Sequence, residues 1–198
     1  MGERRPVVPP GTTRVIVDES VNIITAEAFE GIRGIVELIC HDGVKKVEKW
    51  TFNRCPFLTR VIMPGVEVVE RRAFARCDEL SYVECDKLER IEGGAFGYCS
   101  SLRSINLPSA KIVEGMAFCE CTAITNVEFG KELESIGEMA FDNCTSLEQI
   151  NIPLKDGMIA DDNMFEGCEK LERVDLVGGE VLHVNIAIAA FLMEKGYE

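Results

Sequence analysis

Nine cysteines and two histidines are the residues of this chain with the most chemical potential, and their spacing decides which chemistry is open to them. Cys40-His41-Asp42 brings a thiol, an imidazole and a carboxylate together. A thiol becomes a nucleophile when a base converges on it and a third group orients the base. Neighbouring residues of a strand point to opposite faces, so a trio at a strand end does not converge. Cys119-Glu120-Cys121 holds the closest pair of thiols. Zinc ligands are usually spaced C-x₂₋₄-C, and a single intervening residue is short for that. No glycine-rich phosphate loop, nucleophile elbow or metal-binding helix motif occurs. The expectation is a non-enzyme with no catalytic residues, no cofactor and no metal.

Six of the cysteines follow a different logic. Cys55, Cys77, Cys99, Cys121, Cys144 and Cys168 each stand three residues after a phenylalanine: Phe52, Phe74, Phe96, Phe118, Phe141 and Phe165. With Phe29 included, the phenylalanines step by 23, 22, 22, 22, 23 and 24 residues. Three residues beyond each cysteine comes Leu58, Leu80, Leu102, Ile124, Leu147 or Leu171. The unit reads A-F-x-x-C-x-x-L-x-x-I-x-L-P, then V-x-x-I, then A-F again. A period of this size marks a repeat architecture. Thiols at that period read as small core hydrophobes, a common state of free cysteine.

Each part of the unit has a mechanical reading. Leu102 to Pro108 alternates apolar and polar residues towards its end, the mark of a strand with one buried face. Pro64, Pro108 and Pro153 stop their strands, because proline has no N–H to donate. Ile112-Val113, or Leu133 and Ile136, supply a second apolar pair on the return path. Ala-Phe-x-x-Cys has the spacing of one short helical turn with Phe and Cys on one face. No unit buries its apolar face alone, but stacked units do. Seven units carry the Phe, and Arg14 to Val17 is a partial entry strand. The ends are irregular, as capping units are. Gly31 to Gly34 replaces the first cysteine, Met164 precedes the last Phe, and Leu154-Lys155-Asp156-Gly157 reads as an insert.

The run Ala95-Phe96-Gly97-Tyr98-Cys99-Ser100-Ser101-Leu102-Arg103-Ser104-Ile105-Asn106-Leu107-Pro108 resembles the BspA-type leucine-rich repeat. So does Glu138-Met139-Ala140-Phe141-Asp142-Asn143-Cys144-Thr145-Ser146-Leu147. The resemblance extends over about residues 14 to 177. It implies an α/β leucine-rich repeat solenoid, right-handed, with a parallel β-sheet on the concave side. Short helical turns and second short strands would form the return path. The chain then divides into an N-terminal extension (1–13), repeats (14–177) and a C-terminal capping helix (178–198) of one solenoid domain. The family's roles are adhesion and protein binding, with no shared catalytic residues to carry over.

In such a solenoid the two x positions of the strand face outward, as two ladders about 4.8 Å per rung. The first column is Arg14, Glu37, Arg60, Tyr82, Ser104, Asn126, Gln149 and Arg173. The second is Ile16, Ile39, Ile62, Glu84, Asn106, Glu128, Asn151 and Asp175. Ile16, Ile39 and Ile62 form an apolar stripe beside Tyr82. Such a stripe suits protein docking, unless the segment Pro6 to Pro10 covers it. Ser104, Asn106, Asn126, Gln149 and Asn151 form an amide and hydroxyl patch. These groups either hydrogen-bond a sugar or peptide or pair along the ladder, and Glu84, Glu128 and Asp175 make that side acidic. The expected function is protein or peptide binding on the concave sheet, with cell-surface adhesion or glycan binding as the alternative.

The net charge of −13 argues against nucleic acid as a partner, and there is no dense Lys/Arg run. No apolar stretch is long enough to span a bilayer. Val184, Ala187, Ile188, Phe191 and Leu192 follow helical spacing up to Gly196, with Ile186, Ala190 and Met193 on the other side. That segment is a cap on the last repeat or a contact for a homodimer or partner. The sequence opens on Met1-Gly2-Glu3-Arg4-Arg5-Pro6 without the apolar core of a secretory signal. Repeated unpaired thiols favour a reducing, cytoplasmic location. A removed signal would place the protein outside the cell or on its surface.

Overall fold

A computed structural model describes residues 8–153, 159–160 and 163–177. The apolar-polar alternation produces short strands, two per coil. The first of each pair are β1 (Arg14–Ile16), β3 (Glu37–Ile39), β5 (Arg60–Ile62), β7 (Tyr82–Glu84), β9 (Ser104–Leu107), β11 (Asn126–Phe129), β13 (Gln149–Pro153) and β15 (Arg173–Val177). The second are β2 (Ile23–Ile24), β4 (Lys46–Val47), β6 (Val68–Val69), β8 (Arg90–Ile91), β10 (Ile112–Val113), β12 (Ser135–Ile136) and β14 (Ile159–Ala160). Every pairing is parallel and joins one coil to the next. The second strands form one seven-stranded sheet, β2 to β14. The first strands form two four-stranded sheets, β1-β3-β5-β7 and β9-β11-β13-β15. The break falls where Cys85 occupies the position held by Met63, Leu107 and Phe129 in other coils. There the Cys85 thiol lies 3.7 Å from the Asn106 carbonyl oxygen across the gap.

The repeated residues make the core. Phe52, Phe74, Phe96, Phe118 and Phe141 are fully buried, as are Leu58, Leu80, Leu102 and Leu147. From Phe29 to Phe165 the rings stack coil on coil, with centroids 4.9–5.8 Å apart. Phe129 meets Phe141 edge-on at 6.3 Å.

The third side of each coil departs from the expectation. Among the described residues there is no helix, and Ala-Phe-x-x-Cys is a chain of tight turns. Two residues per coil, one on each side of the Phe, have φ between +53° and +73°. In the Phe74 coil they are Arg72 and Arg76, and in the Phe52 coil Trp50 and Arg54. Left-handed backbone costs a non-glycine residue about 1–2 kcal/mol. The geometry it gives explains why the chain accepts that cost. N–H groups alternate between a local turn and the next coil. Ala73, Ala75 and Cys77 donate to carbonyls three residues back, while Arg72, Phe74 and Arg76 donate to Gly93, Ala95 and Gly97 of the following coil. An α-helical turn would close every N–H within the coil and leave this side without a ladder.

The cysteines take part in that stacking. Cys55, Cys77, Cys99, Cys121, Cys144 and Cys168 each donate the thiol to the carbonyl of the Phe one coil earlier, at 3.1–3.3 Å. They are core residues, as expected, and also weak inter-coil donors. A column of glutamates does the same from outside. Glu48, Glu70, Glu92 and Glu114 accept the backbone N–H of Ala26, Lys49, Arg71 and Gly93 in the preceding coil, at 2.9–3.1 Å. Residues 154–158, 161–162 and 178–198 lie outside the described set, and with them the insert and the C-terminal helix read from the sequence.

Candidate functional site

The two outward columns stand in the register the repeat implies. Arg14, Glu37, Arg60 and Tyr82 are successive partners across β1, β3, β5 and β7, and so are Ile16, Ile39, Ile62 and Glu84. Ser104, Asn126, Gln149 and Arg173 form the continuation, beside Asn106, Glu128, Asn151 and Asp175.

The first half of the face is an apolar strip with an ionic border. Ile16 is 67% exposed and Tyr82 45%, while Ile39 and Ile62 are half-buried between neighbouring rungs. Glu37 sits between two guanidiniums, 2.7 Å from Arg14 Nε and 3.4 Å from Arg60 Nε. The Arg60 guanidinium in turn lies 4.6 Å from the centre of the Tyr82 ring, and the Tyr82 hydroxyl donates to Glu84. The border is thereby held in place beside the isoleucines. Of the segment Pro6 to Pro10, residues 6 and 7 fall outside the described set.

The amide patch is more occupied than its composition suggests. Asn151 bridges to the neighbouring strand, accepting the Phe129 N–H and donating to the Phe129 carbonyl. Asn126 donates to Glu128 at 3.0 Å, and Gln149 to Asp175 at 2.8 Å. Arg173 pairs with Asp175 at 2.8 Å. Ser104 and Asn106 remain exposed.

The chemical candidates have structural roles. His41 Nδ1 accepts the Gly43 N–H at 3.0 Å, and Nε2 lies 3.1 Å from the Asp18 carbonyl. Both ring nitrogens are engaged away from Cys40. Burial pushes the Cys40 thiol up to about 12, so it stays protonated near neutral pH. Cys121 is buried with its thiol on the Phe96 carbonyl. Among the described residues no cluster of His, Cys, Asp or Glu is arranged to hold a metal, and no helix is long and apolar enough to cross a membrane.

A second surface went unnoticed in the sequence. On the turn side, a groove of about 500 Å³ carries four arginines, Arg54, Arg71, Arg72 and Arg76, between Trp50 and Tyr98. The signal was present as basic residues at equivalent turn positions of adjacent coils. It is hidden in a linear reading because the positions are 22 residues apart.

The family model described as "BspA type Leucine rich repeat region" matches the chain in six copies, over residues 11–114 and 89–191. A comparison with curated protein sequences finds no match. Among solved structures, a leucine-rich repeat protein from Bacteroides ovatus is 26% identical with a TM-score of 0.49. The match covers 83% of this chain and 61% of that one, so this chain spans about three fifths of that protein's length. The T. pallidum leucine-rich repeat protein is 18% identical with a TM-score of 0.55, over 93% of this chain and 84% of its own. TLR13, solved as a complex with ssRNA13, is 16% identical with a TM-score of 0.59, over 87% of this chain and 25% of its own. The last two likenesses concern the fold.

Proposed function

Because the chain belongs to the BspA-type leucine-rich repeat family, whose fold is commonly used for protein binding, we propose that it is a non-enzymatic module that binds a protein or peptide on its concave first-strand sheet. The observation that carries this is the outward strip Ile16, Ile39, Ile62 and Tyr82, exposed at its two ends and half-buried between, held in register and bordered by the Arg14–Glu37–Arg60 cluster. An apolar centre beside a polar rim is how protein interfaces are built. Arg and Tyr are among the residues that anchor them. The glycan alternative rests on the amide patch, where Asn126, Gln149 and Asn151 already have partners within the protein. That favours the protein reading.

Ile39→Glu with Ile62→Glu is the test. Each Ile contributes about 1.5–3 kcal/mol when fully buried by a partner, so the pair should weaken a purified partner by at least about tenfold. The melting temperature should change little, because both side chains project out of the core. Undiminished binding by this variant would remove the face from consideration. Dose-dependent glycan binding that Asn126→Ala abolishes would replace the protein reading with the glycan one.

A further inference from the structure

We propose that the turn-side groove is a second binding site, for a short acidic peptide segment that carries an aromatic or large apolar residue.

The argument begins with charge. In a chain of net charge −13, seven of the seventeen described Lys and Arg side chains pair with a carboxylate. Among the described residues Arg54, Arg71, Arg72 and Arg76 have no carboxylate within ion-pair distance, and these four crowd onto two coils around one groove. The carboxylates nearest in the groove wall are committed to backbone: Glu92 accepts the Arg71 N–H, and Glu114 accepts the Gly93 N–H and lies beside Arg90. The groove lining therefore sets four guanidiniums against two carboxylates, a surplus of positive charge. Its field reaches the Cys119 thiol, where Arg72 and Arg76 oppose the larger upward push of burial, Asp142 and Glu120.

Shape adds to charge. Gly93, Gly94, Gly97 and Gly115 line the depression where other coils carry side chains. The Arg72 side chain lies across Gly94, its Cγ 3.4 Å from where a Cβ would stand. The Arg76 guanidinium rests 4.4 Å from the centre of the Tyr98 ring. Stacking holds the guanidinium plane while leaving its edge free for a carboxylate. Tyr98 is 41% exposed and Met116 49%, giving an apolar shelf beside the cations.

The extent of the patch selects the ligand. Its cations cover two coils, a span of about 10 Å at the inter-strand spacing. One coil further on, the position of Arg54, Arg76 and Tyr98 is Glu120, and one coil before Trp50 and Arg72 it is Glu27. A nucleic acid strand needs a positive groove that tracks its backbone and would run into these carboxylates. A few acidic side chains beside an aromatic one fit between them.

The same pattern supplies a clean variant. Glu27 and Glu120 occupy the left-handed positions that Arg72 and Arg76 occupy in their own coil, so the fold accepts glutamate at both. Arg72→Glu with Arg76→Glu should keep the wild-type melting temperature. The probes are a fluorescein-labelled Glu-Glu-Phe-Glu-Glu peptide, its Gln-Gln-Phe-Gln-Gln counterpart and a labelled oligothymidylate, read by anisotropy. The acidic peptide should bind saturably, weaken with salt, and lose about tenfold or more in the double variant. It should be indifferent to Ile39→Glu with Ile62→Glu on the opposite sheet. No saturable binding, equal binding of the Gln peptide, or undiminished binding by the arginine variant would overturn the proposal. Tighter binding of oligothymidylate would assign the groove to single-stranded nucleic acid. Self-association of the wild type that the variant abolishes would assign it to a second copy.

Discussion

Raising the pH above about 8.5 should destabilise this protein steeply, through its buried thiols. Burial pushes the thiols of Cys40, Cys55 and Cys85 up to about 12 and that of Cys119 up to about 11. Cys77, Cys99 and Cys121 are raised still further by the same cause. Cys144 is raised by the neighbouring Cys168 thiol and then by burial. In the unfolded chain a thiol ionises near 8.5. The folded state therefore keeps protons that the unfolded state releases. The stabilisation is fully present below about pH 8.5 and falls as pH rises towards the folded values. One unit above the unfolded value, each thiol shifts the balance by about 1.4 kcal/mol towards unfolding. Eight of them together amount to about 11 kcal/mol, comparable with the whole stability of an ordinary domain, about 5–15 kcal/mol.

The figure does not depend on how far each folded value is raised, only on its lying well above pH 9.5. Urea unfolding at pH 7.5, 8.5 and 9.5 under reducing conditions measures it, with the slope of each transition fixing the surface exposed. The midpoint should fall steeply over the last unit. Replacing Cys77 and Cys99 with alanine should lower stability at pH 7.5 yet flatten the pH dependence by about a quarter. A stability that changes by less than about 2 kcal/mol between pH 7.5 and 9.5, or a slope untouched by the double replacement, would refute the reasoning.

Two further outcomes test the packing. Phe96→Ala removes one ring from a stack with Phe74 and Phe118 at 5.4 Å on either side. It should cost about 3–5 kcal/mol, read as a fall in urea midpoint, and a near-wild-type midpoint would contradict the stack. Glu92→Ala takes away the acceptor of the Arg71 N–H and should cost about 1–2 kcal/mol. Glu92→Gln, which keeps a carbonyl oxygen there, should recover most of that loss, and equal effects of the two would deny the staple.

The repeat was legible because the core is periodic. One Phe, one Cys and one Leu per coil announce themselves, and from their register both outward columns follow without any coordinate. The turn side was not legible. Ala-Phe-x-x-Cys has helical spacing, and nothing in residue type at Trp50, Arg54, Arg72 or Met116 advertises left-handed backbone. What decides their conformation is the unpaired carbonyls of the next coil, a non-local partner that periodicity does not reveal. The amide patch was legible only as two alternatives, ligand binding or pairing along the ladder. In the structure the Asn151 amide completes the backbone of Phe129 in the neighbouring strand.

These observations bear on where recognition can reside. Apart from the break between β7 and β9, the three sides of a described coil bond to the next coil through main-chain N–H and carbonyl groups. The outward side chains are then left with little structural duty, except where a carboxylate, amide or thiol is drafted in as a staple. Glu92, Asn151 and Cys99 are such staples. Ile16, Tyr82, Arg72 and Arg76 are not, since removing them would leave no buried donor or acceptor unsatisfied. A residue that costs the fold little to change, yet sits exposed in register with others of matching chemistry, is the kind on which binding specificity can be built. That criterion separates the isoleucine strip and the arginine groove from the amide patch, although in composition alone the patch resembles a binding site at least as much.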